Sequence, residues 1–104
     1  MPTAEIAGVT VDVNEEGYMT DPGQWTREIG LAIAAELGIE MTDAHWKVIE
    51  FLQKDYAEKG TMPTIRRIKK VGGIPTKELY ELYPDGPVKK ASRIAGLPKP
   101  ESCI

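Results

Sequence analysis

A single cysteine, Cys103, and a single histidine, His45, occur in the 104 residues. That scarcity excludes a disulfide framework within the chain and any zinc site built from its own Cys and His side chains. No apolar run approaches the roughly 20 residues that a membrane-spanning helix needs. The opening Met1-Pro2-Thr3-Ala4-Glu5 has neither the basic nor the apolar region of a signal peptide. A membrane partner is therefore not expected, and a cytoplasmic location is. No glycine-rich phosphate loop is present, since Gly72-Gly73 alone does not make one, and Asp12, Glu15 and Glu16 sit in a turn context without the pairing that acid–base work needs. A chain this short has no room for a large catalytic apparatus, so any chemistry must be simple or shared with a partner. No metal or cofactor is expected. With 41% hydrophobic and 28% charged residues, the chain has the balance of one folded domain.

Charge is unevenly placed. The formal net charge is −3, yet residues 1–58 carry three basic against twelve acidic residues, and residues 59–104 carry ten against four. Such a split suits a protein with one acidic and one basic face, and a polar partner. Two solvated halves would have the same composition.

The periodicities predict a mainly α protein. From Glu5 to Met19 the chain reads as a hairpin or short strands: Val9, Val11 and Val13 alternate with polar residues, as in a strand, and Asn14-Glu15-Glu16-Gly17 has turn chemistry before Tyr18-Met19 as a candidate return. Asp21-Pro22-Gly23 breaks the chain. Trp25, Ile29, Ala32, Ile33 and Leu37 then recur at helical spacing, and Gly38 supplies the stop. Thr42 is the expected cap of a longer helix reaching about Lys59, with His45, Val48, Ile49, Leu52 and Tyr56 inward. A short third helix follows Thr64, with Ile65, Ile68 and Val71 inward and Arg66, Arg67, Lys69 and Lys70 outward. Thr76 is the expected cap of a fourth, Lys77 to Tyr83, and a last helix runs from Val88 to Ala95, ending at Gly96. The predicted domain is residues 1–96.

Residues 97–104 show neither period. With Pro98 and Pro100 they read as an extended, mobile arm, long enough to reach roughly 25 Å. Cys103 lies near its end. Packing cysteines are usually buried, and an exposed thiol is an oxidation liability. Position alone leaves two readings, a thiol presented to another protein's active site and a stray cysteine. Nearby Glu101 does not favour a thiolate, so a partner's pocket must activate it. The basic third helix leaves a further alternative, a small helix-turn-helix regulator that binds DNA through phosphates. Its few base-reading side chains make a solvated or protein-docking face the better reading, and nucleic acid is not an expected partner. His45, with no second ligand at metal spacing, reads as a hydrogen-bonded boundary residue.

Tyr83-Pro84-Asp85-Gly86-Pro87, Ile94-Ala95-Gly96-Leu97-Pro98-Lys99-Pro100 and Cys103 together resemble the DsrC/TusE sulfur-carrier family, which includes the gamma subunit of dissimilatory sulfite reductase. Glu15-Glu16-Gly17-Tyr18, Trp25, His45-Trp46, Val48 to Leu52 and Met62 to Arg66 extend the resemblance over nearly the whole chain. It implies a small helical bundle with a helix-turn-helix-like core, a short N-terminal β-hairpin and a C-terminal arm. By the resemblance, Cys103 accepts sulfur as a persulfide and passes it to a partner protein. The partners it implies are sulfur donor and acceptor proteins, either a sulfur relay of the tRNA-thiolation type or dissimilatory sulfite reductase. Arg66, Arg93 and Lys99 match basic positions suited to steering a persulfide or a partner. The sulfite-reductase branch has a second cysteine eleven positions before the last, and here that position is Ser92. A lone cysteine favours a simple relay, whereas the short Val71–Tyr80 connection resembles the sulfite-reductase partners. A non-catalytic gamma-type subunit or regulator is the alternative. Restoring a cysteine at 92 is expected to allow an internal disulfide with Cys103.

Overall fold

The computed structural model describes residues 2–99; the thiol-bearing Cys103 lies outside them. Two strands, β1 (Thr3–Ile6) and β2 (Val9–Asp12), pair antiparallel with Ile6 opposite Val9. Their two-residue loop is Ala7-Gly8, with φ of 53° and 77°. Positive φ at both loop positions gives a twist that matches the flanking strands. The short N-terminal hairpin is therefore present with its loop at Ala7-Gly8, and the Asn14–Gly17 turn closes one further bridge, between Val13 and Met19. β2 takes its partner from upstream because Ala7 accepts a left-handed conformation that its side chain does not advertise. Val11 and Val13 are buried, as the alternation requires, while Val9 beside the loop is exposed.

Among the described residues a 3-10 turn (Pro22–Gln24) and five α-helices follow: α1 (Arg27–Glu36), α2 (Asp43–Lys59), α3 (Ile65–Lys70), α4 (Thr76–Leu82) and α5 (Pro87–Ile94). Their starts are set by local polar chemistry. Thr26 Oγ1 accepts from the Ile29 amide and Thr64 Oγ1 from the Arg67 amide. At α2 a capping box closes the first turn, with His45 in the place usually held by Glu or Gln; its Nδ1 accepts from the Thr42 amide at 3.1 Å. The cap expected at Thr76 is corrected by one residue. Pro75 occupies the cap position, Thr76 is the first helical residue, and no side-chain bond closes that end.

The helical bundle is organised around α5, which packs on α1, α2 and α4. Its inner face is Val88, Ala91, Ser92 and Ile94, and Lys89, Lys90 and Arg93 occupy the other side. Ile29, Ile33, Val48, Ile49, Leu52, Ile68, Leu79 and Ile94 fill the core, each contributing on the order of 1.5–3 kcal/mol by leaving water. His45 and Tyr83 fasten α4 to α2. The Tyr83 hydroxyl donates to the His45 carbonyl at 2.9 Å, and the two rings meet edge to face. The His45 Nε2 reaches the Leu82 carbonyl at 2.9 Å; a carbonyl can only accept, so Nε2 carries the proton and Nδ1 is free to cap α2. His45 is accordingly a buried structural residue, deeper than the boundary position expected.

Candidate functional site

The site is built from the C-terminal end of α5, where the chain sets out toward Cys103. A helix end leaves its last carbonyls without intrahelical donors, and here each one is met. Ala91 O accepts from Ala95 N, Arg93 O from Gly96 N and Ser92 O from Leu97 N. The last two form the crossed pair of a Schellman motif, with Gly96 left-handed at φ 70°. Ile94 O accepts from Trp25 Nε1 at 2.7 Å and Ala95 O from Gln53 Nε2 at 2.9 Å. Trp25 lies so close that a Cβ at Gly96 would come within 2.5 Å of its ring. Glycine is therefore required twice over, by backbone conformation and by space.

Leu97, assigned to the arm on sequence, is 3% exposed and belongs to the core. Its burial follows from the Schellman turn, whose residue after the glycine folds back on the helix. The fixed body therefore extends past Gly96, and Lys99 is already exposed. Trp25, read on sequence only as a residue of the helical stripe and of the resemblance, and Gln53, which the sequence reading passes over, fasten this end through their long-range bonds.

Beside this exit lies the Asn14–Tyr18 turn. Asn14 Oδ1 accepts from the amides of Glu16 and Tyr18, holding the turn tight. Gly17, at φ 87°, has no Cβ, and the Arg93 guanidinium lies against it. Glu16 points outward and pairs with Lys99 at 2.9 Å, an exposed ion pair that contributes at most about 1 kcal/mol. Tyr18 is buried and its hydroxyl is pushed above its ordinary pKa by desolvation and by Glu16, against the opposing pull of Lys99 and Arg93. Two of the basic residues singled out by sequence, Arg93 and Lys99, thus act on one spot. Arg66 is exposed on α3 and is not among the charges felt there.

The other basic segment has a different use. Arg67, expected to point outward, instead makes a forked pair with Asp55 of α2. Its Nε lies 2.9 and 3.0 Å from the two carboxylate oxygens, and its Nη2 lies 2.7 Å from one of them. Asp55 is only 4% exposed, and a carboxylate that deep requires such a partner. Ser92 is fully buried, its hydroxyl donating to Val88 O at 2.6 Å. The closure expected between a cysteine at this position and Cys103 involves a residue outside the described ones. Among the described residues no group of three or more His, Cys, Asp or Glu side chains is placed to hold a metal, and no helix is long and apolar enough to cross a membrane.

Comparison with known proteins agrees with this geometry. The pattern of the DsrC like protein family matches residues 5–104, a span that takes in Cys103. Sulfurtransferase TusE of Salmonella typhimurium is 40% identical over 93% of this chain and 95% of that protein. The solved structure of Allochromatium vinosum DsrC superposes with a TM-score of 0.81 at 37% identity, covering 98% of this chain and 97% of that one. The oxidized gamma-subunit of the dissimilatory sulfite reductase from Archaeoglobus fulgidus gives 0.78 at 34% identity, over 99% of this chain and all of that one. A family pattern that runs almost from end to end, full-length relatives at this identity and the shared helical fold lead to one conclusion: the chain belongs to the DsrC-like family.

Proposed function

We propose that this protein is a sulfur-relay carrier in which Cys103 accepts sulfur as a persulfide and delivers it to a partner protein. The observation that carries the reading is the full-length family match, which includes Cys103, together with TusE sulfurtransferases as relatives. In loading, the Cys103 thiolate attacks the outer sulfur of a donor persulfide; the donor S–S bond breaks and the donor leaves as a thiolate. In delivery, an acceptor thiolate attacks the outer sulfur now on Cys103, which departs as a thiolate in turn. Neither step changes the overall oxidation level, and both need only an accessible sulfur and a good leaving group. The chain's own contribution is placement. The capped end of α5 gives residues 98–104 a fixed origin, and Arg93 and Lys99 supply positive charge beside it. Arg66, on α3, fits a partner contact rather than a sulfur contact. The partners are sulfur donors and acceptors, and the thiol chemistry suits the reducing cytoplasm.

The lone cysteine, with Ser92 buried at the position of the family's second one, favours one-cysteine relay over a two-cysteine cycle. Similarity to the Archaeoglobus gamma-subunit supports the alternative of a subunit or regulator acting with a sulfite reductase. Binding DNA through α3 finds no support, since Arg67 is engaged by Asp55 and the helix is six residues long.

Loading is tested by intact-mass and peptide measurements after incubation with a persulfide donor. The expected product is heavier by about 32 Da per sulfur, on the C-terminal peptide and in the wild type only. An unchanged adduct on Cys103→Ser, or no adduct with competent donors, would contradict the reading.

A further inference from the structure

Lys89, Lys90 and Arg93 stand on one face of α5, at spacings of three and four residues. Like charges so placed repel, and among the described residues no carboxylate forms an ion pair with any of them. All three are half-buried and line one concavity of about 230 Å³, with Tyr18, Leu37 and Asp85 completing its wall. Asp85 is the one acidic residue among these lining side chains, which together carry a net charge of about +2. Arg93 Nε is buried and has no hydrogen-bond partner among the described residues, an unfavourable position for a charged donor unless something accepts from it. The guanidinium has room in that position because Gly17 carries no side chain. Burial and the neighbouring Glu16 keep the Tyr18 hydroxyl protonated, so it remains a donor. No side-chain cap closes the first turn of α5, which Lys89 and Lys90 occupy.

From this convergence of unpaired donors on one hollow we infer that the Lys89–Lys90–Arg93 pocket binds a small dianionic oxyanion, of the sulfate, sulfite or phosphate class, held by charge and hydrogen bonds without covalent chemistry. Three cations and a phenol suit a compact anion with several acceptor oxygens, and a guanidinium donates to such oxygens in pairs. The space accommodates a tetrahedral anion with part of its water shell. A hollow of that volume points to a free anion rather than to an extended polyanion, which would need a groove. The inference does not depend on the sulfur-carrier reading, because it uses no cysteine.

The test is an amide-resonance titration of the full chain with sodium sulfate, sulfite and phosphate, against sodium chloride at equal ionic strength. A fourth arm uses a short single-stranded oligonucleotide at equal phosphate concentration. Saturable shifts confined to Tyr18, Asp85, Lys89, Lys90 and Arg93 are expected with the three dianions. Lys90→Gln should weaken them at least tenfold, and Lys70→Gln on α3 should leave them unchanged. Arg93→Lys, which keeps the charge but loses the fork, should weaken binding while the rest of the spectrum stays that of the folded protein. Shifts no larger than those with chloride, or spread equally over Lys69 and Lys70, would overturn the assignment. So would an oligonucleotide that binds more than tenfold tighter than sulfate and displaces it.

Discussion

The two basic helices, α3 and α5, have similar charge in the sequence and opposite roles in the fold. On α3, Arg67 turns inward and is consumed by a forked bond to the buried Asp55, while Arg66, Lys69 and Lys70 remain exposed. On α5, Lys89, Lys90 and Arg93 gather over a hollow and find no carboxylate among the described residues. One arrangement fastens α3 to α2. The other leaves three cations around one hollow, the place proposed for a small anion. Opposite-charge pairing therefore separates a cation used in packing from cations left available better than local sequence composition does.

The sharpest way to break this contrast is at the capped end of α5. Gly96→Ala combines the strain of a left-handed alanine with displacement of Trp25 and should cost about 2–4 kcal/mol in chemical denaturation. Gly73→Ala, left-handed at φ 68° but with open space around it, should cost only about 1–2 kcal/mol. Equal losses at the two positions would mean that the Trp25 contact contributes nothing.

Next in size is a pair of neutralisations with opposite signs. Arg67→Gln strands the Asp55 carboxylate and should lower the melting temperature by several degrees. Lys90→Gln removes like-charge repulsion and should leave the melting temperature unchanged or slightly raised. A fall with Lys90→Gln as large as that with Arg67→Gln would erase the distinction between the helices.

A smaller effect concerns alkali. Burial pushes the hydroxyls of Tyr18 and Tyr83 above their ordinary pKa, most strongly for Tyr83. Between the unfolded pKa of about 10 and the higher folded values, the folded state keeps protons that the unfolded state has lost. The stability linked to these tyrosines is thus fully present below about pH 10 and declines as pH rises beyond it. Equilibrium unfolding followed from pH 8 upward checks the sign, and Tyr83→Phe should flatten the decline.

Much of the fold was legible because the helices state their own limits. Thr42 and Thr64 cap, Gly38 and Gly60 stop, and apolar spacing supplies the inner faces. What escaped depends on residues far apart in the chain. Asp55 reads as one more solvated acid until Arg67 is brought across to it. Trp25 and Gln53 reveal their capping role only once α5 is docked, and Leu97 joins the core only because the Schellman turn folds it back. The loop of the hairpin could not be placed from the sequence because Ala7 takes a conformation usually left to glycine or asparagine. The candidate site was half visible. Cys103, Arg93 and Lys99 could be named from sequence, but the Tyr18–Gly17 wall against which Arg93 rests could not.

The central claim is that Cys103 hands sulfur on as well as receiving it. The most direct measurement loads the protein with radiolabelled sulfane sulfur, removes the donor, and follows the label on adding an acceptor protein that bears a reactive thiol. Label should move from the carrier to the acceptor in proportion to acceptor concentration, with Cys103→Ser never labelled. Arg66→Gln should leave transfer to a small thiol unchanged. Label that stays on the carrier in the presence of excess competent acceptor, or that loads equally well without Cys103, would contradict the account.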